Sequence, residues 1–446
     1  MTGVVKTIRS RKGLALVTVL WVAMLMIVLV SVTSQSTLLD THISQVNVER
    51  QRCRWACRAG IETAIALLVE DDPGYDCLLD DWAPDAGYLS DLDFDGCTVQ
   101  VTVTDTASKL NLNTVSRQQL LFLPDMTEEI ADSIIDWRDD NDQISEFGAE
   151  DGYYMNLDIG YRTQNGSFRT TRELLRVRGV TEAMFYGNAE QGTISDENAG
   201  WVHYLTFLSS EANVDSTGES KIDINNAGQQ QLQQTLSLTP PQAQWIVNNR
   251  SFEKYSDVLK ETSPSSSNTN SAPPSNTNET PSQGQQNQRN QRGQRNQGNQ
   301  GNRGNRDNQQ NQPATPPDIG TALNIIDNAA LNNEQFYTGR VNINTAGVIV
   351  LTALLEGNRE LAETIVAYRD GLAGGFTGMA DLQDIEGMSL DAIKKLVDLT
   401  SVRSSVYEID CAASSNATGL TFHTKVIINR EEDEGKILYW REGNSH

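Results

Sequence analysis

The chain is short of histidine, of basic charge and of paired cysteine motifs, and each shortage closes a class of function. Its four histidines, His42, His203, His423 and His446, stand far apart and form no HExxH, and the sequence has no GxSxG or Walker A loop. Zinc-dependent hydrolysis, serine-hydrolase chemistry and P-loop nucleotide hydrolysis therefore have no motif to rest on. The carboxylates of Asp136–Asp142 are conceivable acid/base groups, but no recognisable pocket surrounds them in the sequence, and the chain is expected not to be an enzyme. Basic residues number 35 against 59 acidic ones, for a formal net charge of −24. A surface that acidic repels phosphate backbones and favours cations or basic partners, so nucleic acid is not an expected partner. The five cysteines, Cys53, Cys57, Cys77, Cys97 and Cys411, form no CxxC, which removes zinc-ribbon and thioredoxin-type readings. Their odd number leaves at least one thiol free or paired between chains. In a body outside the cytoplasm, Cys77 with Cys97 is one candidate bridge, and the sequence leaves the connectivity open.

One long segment lacks large apolar side chains. Residues 262–318 are built of Ser, Asn, Gln, Gly and Pro with no Ile, Leu, Val or aromatic residue. Such a stretch cannot bury apolar surface and is expected to be disordered, a tether of about 40 Å root-mean-square span. It carries five arginines between Arg289 and Arg306 but no RGG triplet and no aromatic to stack a base, so a solvated insertion is the expectation.

The opposite extreme lies at the N-terminus. Leu14–Thr33 is an uncharged apolar run, long enough at 1.5 Å per residue to cross roughly 30 Å of hydrocarbon. Lys6, Arg9, Arg11 and Lys12 precede it, which places the N-terminus in the cytoplasm and the body outside. The run exceeds an ordinary signal-peptide core and no A-x-A-like site follows it cleanly. A short basic leader, Gly13, and then the hydrophobic helix from Leu14 resembles the class III signal of type IV pilins and pseudopilins. That resemblance implies cleavage by a prepilin peptidase between Gly13 and Leu14, followed by methylation, with the helix retained. The fifth mature position is Thr18 where most pilins carry glutamate, a departure that fits the K-type minor pseudopilin. From Gln35 to Val69 the pattern continues as an amphipathic helix through Ile43, Val46, Trp55, Ile61, Ile65 and Leu68, closed by Pro73-Gly74. Cys53 and Cys57, four apart, share one of its faces.

Three later segments are related. Each opens with a short strand, at Lys109–Asn113, Lys221–Asn225 and Arg340–Asn344, and each places an arginine 25 residues beyond the last asparagine, at Arg138, Arg250 and Arg369. A phenylalanine and a further helical pattern follow, at Phe168, Phe252 and Phe376. A spacing held three times implies one small helical unit used repeatedly. The unit resembles helix-hairpin-helix or SAM-like modules, including those of DNA-uptake proteins, whose opening is nearly reproduced at Asn342–Ala346. Such modules bind DNA when a Gly-x-Gly turn brings backbone N–H groups to a phosphate. The turns here, Leu123–Thr127, Leu238–Pro241 and Glu356–Arg359, lack the two glycines, and one carries two prolines. Packing modules are the favoured reading. A membrane-anchored DNA-binding protein for uptake is the alternative.

Alternating patterns at 98–104, 406–410, 420–429 and 436–442 read as strands of one antiparallel sheet. The stretches Ala131–Asp142 (ADSIIDWRDDND) and Gly148–Tyr154 (GAEDGYY) resemble the signature of the general secretion pathway protein K family of type II secretion systems, with flanking similarity at Lys109–Asn113, Phe168–Leu175, Asn342–Ala346 and Ile437–Glu442.

That resemblance implies an α+β fold in which a pilin-like long N-terminal helix lies on an antiparallel sheet with inserted all-α modules. The expected divisions are a leader at 1–13, a transmembrane helix at 14–33, pilin-like helix and strands at 34–105, and a first module at 106–220. A second repeat follows at 221–261, the insertion at 262–318, a third module at 319–402 and the closing strands at 403–446. The family has two modules, so 221–261 reads as an addition. The implied function is that of a minor pseudopilin, single-pass in the bacterial inner membrane with a periplasmic body. It would assemble at the pseudopilus tip with the I and J types, and through them with the major pseudopilin, on the inner-membrane platform, driving export of folded proteins. The family is also associated with calcium, for which Asp139, Asp140, Asp142, Glu150 and Asp151 are the candidate oxygen ligands. The run Asp91-x-Asp93-x-Asp95-Gly96 copies half an EF-hand loop but has Thr102 at the twelfth position, and reads as a polar turn.

Overall fold

The computed structural model describes residues 12–72, 74–187, 199–260, 313–432 and 435–443. The described chain forms two compact units. Most of the basic leader and most of the expected insertion, residues 261–312, lie outside the described residues.

The first unit comprises residues up to Asp71, Leu79–Thr104 and the chain from Tyr407 onward. It is a mixed structure of one helix and one sheet. The helix, Lys12–Glu70, runs 59 residues, about 88 Å at 1.5 Å per residue. Its apolar N-terminal part is exposed: the large apolar side chains from Leu16 to Val32 are each more than half exposed. Farther along, one face is buried, formed by Cys53, Ala56, Cys57, Ile61, Ala64 and Leu68 at three- and four-residue steps. Of the amphipathic face expected from the sequence, Ile61, Ile65 and Leu68 are buried, and the earlier half is corrected. Ile43, Val46 and Trp55 are exposed, Trp55 by 71%, and small residues make the contact instead. Cysteine and alanine permit a close approach to the sheet that the larger side chains would prevent.

The sheet has five strands in the order 92–94, 97–105, 406–415, 421–429 and 436–442. Both edge pairs are antiparallel, and the last carries a register shift at Ile427/Ile428. Alternation selects the buried face: Cys97, Val99, Val101 and Val103 point inward, as do Tyr407, Ile409, Cys411 and Ala413. Trp82 fills the end of this core edge-on to Tyr407 at 5.2 Å, its indole N–H donating to Asp71 at 2.8 Å.

The second unit comprises Asp72–Leu78 and Asp105–Val406, so in chain order it is inserted between neighbouring strands of the sheet. It contains the three repeats, each closed by a parallel two-residue pairing. Leu110–Asn111 pairs with Leu205–Thr206, Ile222–Asp223 with Ala329–Ala330, and Val341–Asn342 with Thr400–Ser401. The second pairing moves a boundary. Helix Ile319–Asn328 completes the second repeat and does not begin the third, so the second repeat reaches Ala330 and the low-complexity segment lies within it. The place is specific. In the first and third repeats only four residues separate the last 3-10 turn (171–176; 379–384) from the capping residue of the final helix, Thr181 or Ser389. In the second repeat the same stretch runs from Leu259 to Asp318, whose carboxylate caps Thr321 N at 3.0 Å. Strands Ser210–Ala212 and Phe336–Thr338 pair antiparallel on either side of the second repeat, so that repeat emerges from the end of a hairpin.

Candidate functional site

The repeated residues hold main chain, not ligand. In all three repeats the side chain of the first strand Asn or Asp (Asn111, Asp223, Asn342) accepts from the backbone N–H two residues on, at 2.8–3.0 Å. The next asparagine reaches across the repeat to the phenylalanine. Asn113 accepts from Phe168 N at 2.7 Å, Asn225 from Phe252 N at 2.9 Å, and Asn344 from Phe376 N at 2.7 Å. Each amide also donates to the same phenylalanine's carbonyl. The arginine closes the arrangement by donating to carbonyls of the opening turn: Arg138 to Leu112 and Val115, Arg250 to Ala227, Arg369 to Ile343 and Ala346. The fixed spacing found in the sequence is the length of helix needed to bring that guanidinium back to the turn.

The first repeat differs by a long loop between Arg138 and Phe168, and the acidic residues sit there. The family-like stretch folds this loop. Asp132, 2% exposed, pairs with Arg117 and accepts from Phe147 N at 3.1 Å. Trp137 packs edge-on to Tyr154 at 5.2 Å, Tyr161 covers both rings, and Arg178 N donates to the Tyr154 hydroxyl at 3.1 Å. Asp136 accepts from Ser145 N at 3.1 Å and from its hydroxyl at 2.5 Å. Gly148 passes so close that a Cβ there would overlap Asp136 Oδ2 at 1.9 Å.

Three carboxylates converge at this point: Asp136, Asp139 and Glu150, each offering an oxygen, all within 4.8 Å of one another. Glu150 is 3% exposed, and neither of its carboxylate oxygens has a hydrogen-bond partner. A buried, unpaired carboxylate is costly unless it is neutralised or meets a cation. Burial, and then repulsion from Asp136 and Asp139, pushes the Glu150 carboxyl up to about 7. Burial likewise raises Asp136. An all-oxygen donor set with an orphaned buried member fits a hard divalent cation such as calcium, which would draw the three carboxylates together as a structural ion.

Of the five expected ligands, the structure brings Asp139 and Glu150 together. Asp140 and Asp142 are exposed, and Asp142 accepts from Asn165 Nδ2 at 3.0 Å. Asp151 is engaged by Thr163, whose N and hydroxyl each donate to it at 2.9 Å. Asp136 is the carboxylate of this cluster that the expected set lacks. It stands three residues before Asp139 on the same helical side, which is the signal that would have found it. The Asp91–Gly96 run is not one polar turn: Leu92–Phe94 is a short strand and Asp95-Gly96 the turn to its partner strand, with positive φ at Asp91 and Asp95. Cys97 Sγ lies 3.6 Å from Cys53 Sγ inside the first unit, whereas Cys77 belongs to the second. Gly13 and Leu14 fall in the first turn of the long helix, and their side chains are outside the described residues.

Two of the three hairpin turns that a DNA reading needs are engaged by other residues of the unit. At Gly357, φ is +91° and a Cβ would come within 2.5 Å of the Phe122 ring of the first repeat. Beside it Glu356 pairs with Lys395 at 2.5 Å. The first repeat's turn gives its Pro124 carbonyl to Trp201 Nε1 at 2.8 Å.

Against known proteins, the profile of type II secretion system protein K matches residues 104–186, the first repeat with its acidic loop. Over these residues the chain is similar to the type II secretion system protein K family. A helix-hairpin-helix profile matches residues 337–399, the third repeat. Type II secretion system protein K of Klebsiella pneumoniae is 25% identical over 199 residues, 39% of this chain and 60% of that protein. The Pseudomonas aeruginosa protein of the same name is 27% identical over 276 residues, 55% of this chain and 74% of that protein. The chain thus spans about three fifths of the length of the first of these relatives. A chain from the crystal structure of the GspK-GspI-GspJ complex of enterotoxigenic Escherichia coli aligns with 90% of this chain and 99% of its own, at 14% identity and a TM-score of 0.48.

Proposed function

We propose that this protein is a minor pseudopilin: a non-enzymatic, single-pass inner-membrane subunit that assembles at the tip of a type II secretion pseudopilus. The observation that carries the reading is the 59-residue helix, whose first part exposes an apolar surface long enough to cross a membrane and whose last part packs on a five-stranded sheet. A helix built in that way can sit in a bilayer and in a bundle of like helices while its sheet remains in water. Partners of the I and J types, the major pseudopilin beyond them, prepilin peptidase acting at Gly13–Leu14 and the inner-membrane platform are part of the proposal, as is a periplasmic body. The repeats serve as SAM-like packing modules, and the cation of Asp136, Asp139 and Glu150 stiffens the first of them without taking part in chemistry. The test is affinity purification of the full chain from its own membranes. Recovery with other pseudopilins in a stable complex is expected; recovery alone would sink the proposal.

The helix-hairpin-helix match keeps one rival in view, DNA binding by the third repeat. The turn filled by Phe122 and the glutamate beside it argue against phosphate contact. Binding of the detergent-solubilised chain to labelled duplex at moderate salt would restore the rival.

A further inference from the structure

Four of the five cysteines lie in the core of the first unit, where the long helix meets the sheet, and they are arranged in pairs. Cys53 and Cys57 sit one turn apart on the buried face of the helix, and all four of these residues are 0% exposed. Cys97 lies on strand 97–105 and Cys411 on its neighbour, strand 406–415. Cys53 Sγ is 3.6 Å from Cys97 Sγ. Cys57 Sγ lies 3.7 Å from the Cys411 carbonyl oxygen, and Cys411 Sγ 3.6 Å from the Cys57 carbonyl oxygen, so each residue is turned toward the other. One helical turn thus addresses two adjacent strands, one cysteine to each.

We propose that these residues form two disulfides, Cys53–Cys97 and Cys57–Cys411, which fasten the membrane-bound helix to the sheet. The sulfurs of the first pair must close by roughly 1.5 Å to reach the bonding distance of about 2.05 Å, a movement within reach of side-chain rotation. Each bridge forms by thiol–disulfide exchange with a disulfide-bearing oxidoreductase. Two S–H bonds break and one S–S bond forms, and the two electrons and two protons reduce the oxidant's disulfide to a dithiol. Because all four sulfurs are buried, the exchange takes place before the core closes. The bridges matter where they are. In the turn that carries the cysteines the helix buries only Cys53, Ala56 and Cys57, which supply little apolar area, while a membrane anchor pulls on one end of the same helix.

The proposal rests on the periplasmic placement of the body, since a reducing cytoplasm would keep the thiols apart. The experiment is alkylation of the full chain, isolated from its own membranes and denatured without reduction, followed by peptide mass mapping. Trypsin separates Cys53 from Cys57 at Arg54, and an Asp-directed protease separates Cys77 from Cys97. The expected result is a cross-linked Cys53–Cys97 peptide, a cross-linked Cys57–Cys411 peptide and no bridge to Cys77. Alkylation of all five residues, or a Cys77–Cys97 peptide, overturns the proposal. Refolding of reduced chain in a glutathione redox buffer then identifies what failed. If the two pairs form in the buffer but not in cells, the compartment was misread; if they form in neither, the geometry was. Cys97→Ser provides the second arm: it frees Cys53 for alkylation and leaves Cys57–Cys411 bridged.

Discussion

Replacing Asn344 by alanine tests whether the repeated asparagine holds the module together. The residue is 1% exposed, and its amide makes paired bonds to Phe376, accepting from N at 2.7 Å and donating to O at 2.8 Å. Alanine leaves a buried N–H and a buried C=O without partners. At about 1–2 kcal/mol for each stranded group, the lower part of the usual range, the loss is on the order of 2–4 kcal/mol. Unfolding of the whole chain is a poor readout, because a chain of two units need not melt in one step. Native-state hydrogen exchange at the Phe376 amide reads the loss locally, and the stated range corresponds to roughly 30- to 1,000-fold less protection. Asn344→Asp keeps the acceptor for Phe376 N but loses the donor and buries a charge, so it should be no better than alanine. Protection that changes by less than about threefold in both variants would refute the reasoning, because the asparagine would then be dispensable.

Other features give sharper contrasts. Arg340 is buried between Glu211 and the Tyr255 ring, 4.8 Å beneath its guanidinium carbon, and it also donates to the Val397 carbonyl at 3.1 Å. Burial alone would raise the Glu211 carboxyl, but Arg340 and Lys221 hold it below its ordinary value, so Arg340→Ala strands a buried anion and should cost about 3–5 kcal/mol in denaturant unfolding. Lys221 is pushed down to about 8, chiefly by burial and then by Arg403, with Glu211 opposing and Arg340 and Asp327 also facing it. Between that value and 10.5 the unfolded chain holds a proton that the folded chain does not, so stability should rise with pH across this window. Lys221→Met should flatten that rise, which denaturant titrations at a series of pH values will register. Calcium at 100 times its dissociation constant should stabilise the chain by about 2.7 kcal/mol, read as a shift in thermal midpoint that a chelator reverses. Glu150→Gln should abolish the response without lowering the calcium-free midpoint, since it removes an unpaired buried charge; a calcium response that survives the substitution would remove Glu150 from the ligand set.

Much of this architecture was legible because the residues that carry it bond to main chain. Asn113, Asn225 and Asn344, with Arg138, Arg250 and Arg369, have no equivalent replacement, and their separation is fixed by the helices between them. The end of the second repeat was not legible. The segment that interrupts it leaves Ala329–Ala330 as the returning strand, two alanines that carry no pattern until they are seen beside Ile222–Asp223. The start of the packed face of the long helix was misjudged for a related reason, although Ile61, Ile65 and Leu68 pack as expected. Apolar periodicity favours Ile43, Val46 and Trp55, whereas the contact depends on small residues such as Ala56 and Ala64 that permit close approach. In the acidic loop the presence of carboxylates was readable but the members of the buried cluster were not. A run of carboxylates does not reveal which side chains turn inward, and Asp136 does so only because helix 128–138 carries it under Gly148.

The central claim is that the long helix is a processed pseudopilin anchor, and the mature N-terminus tests it most directly. Terminal-peptide mass spectrometry on the protein isolated from its own membranes should find a chain beginning at Leu14, methylated on its amine. A chain that retains Met1, or one that begins beyond Ser31, would contradict the account.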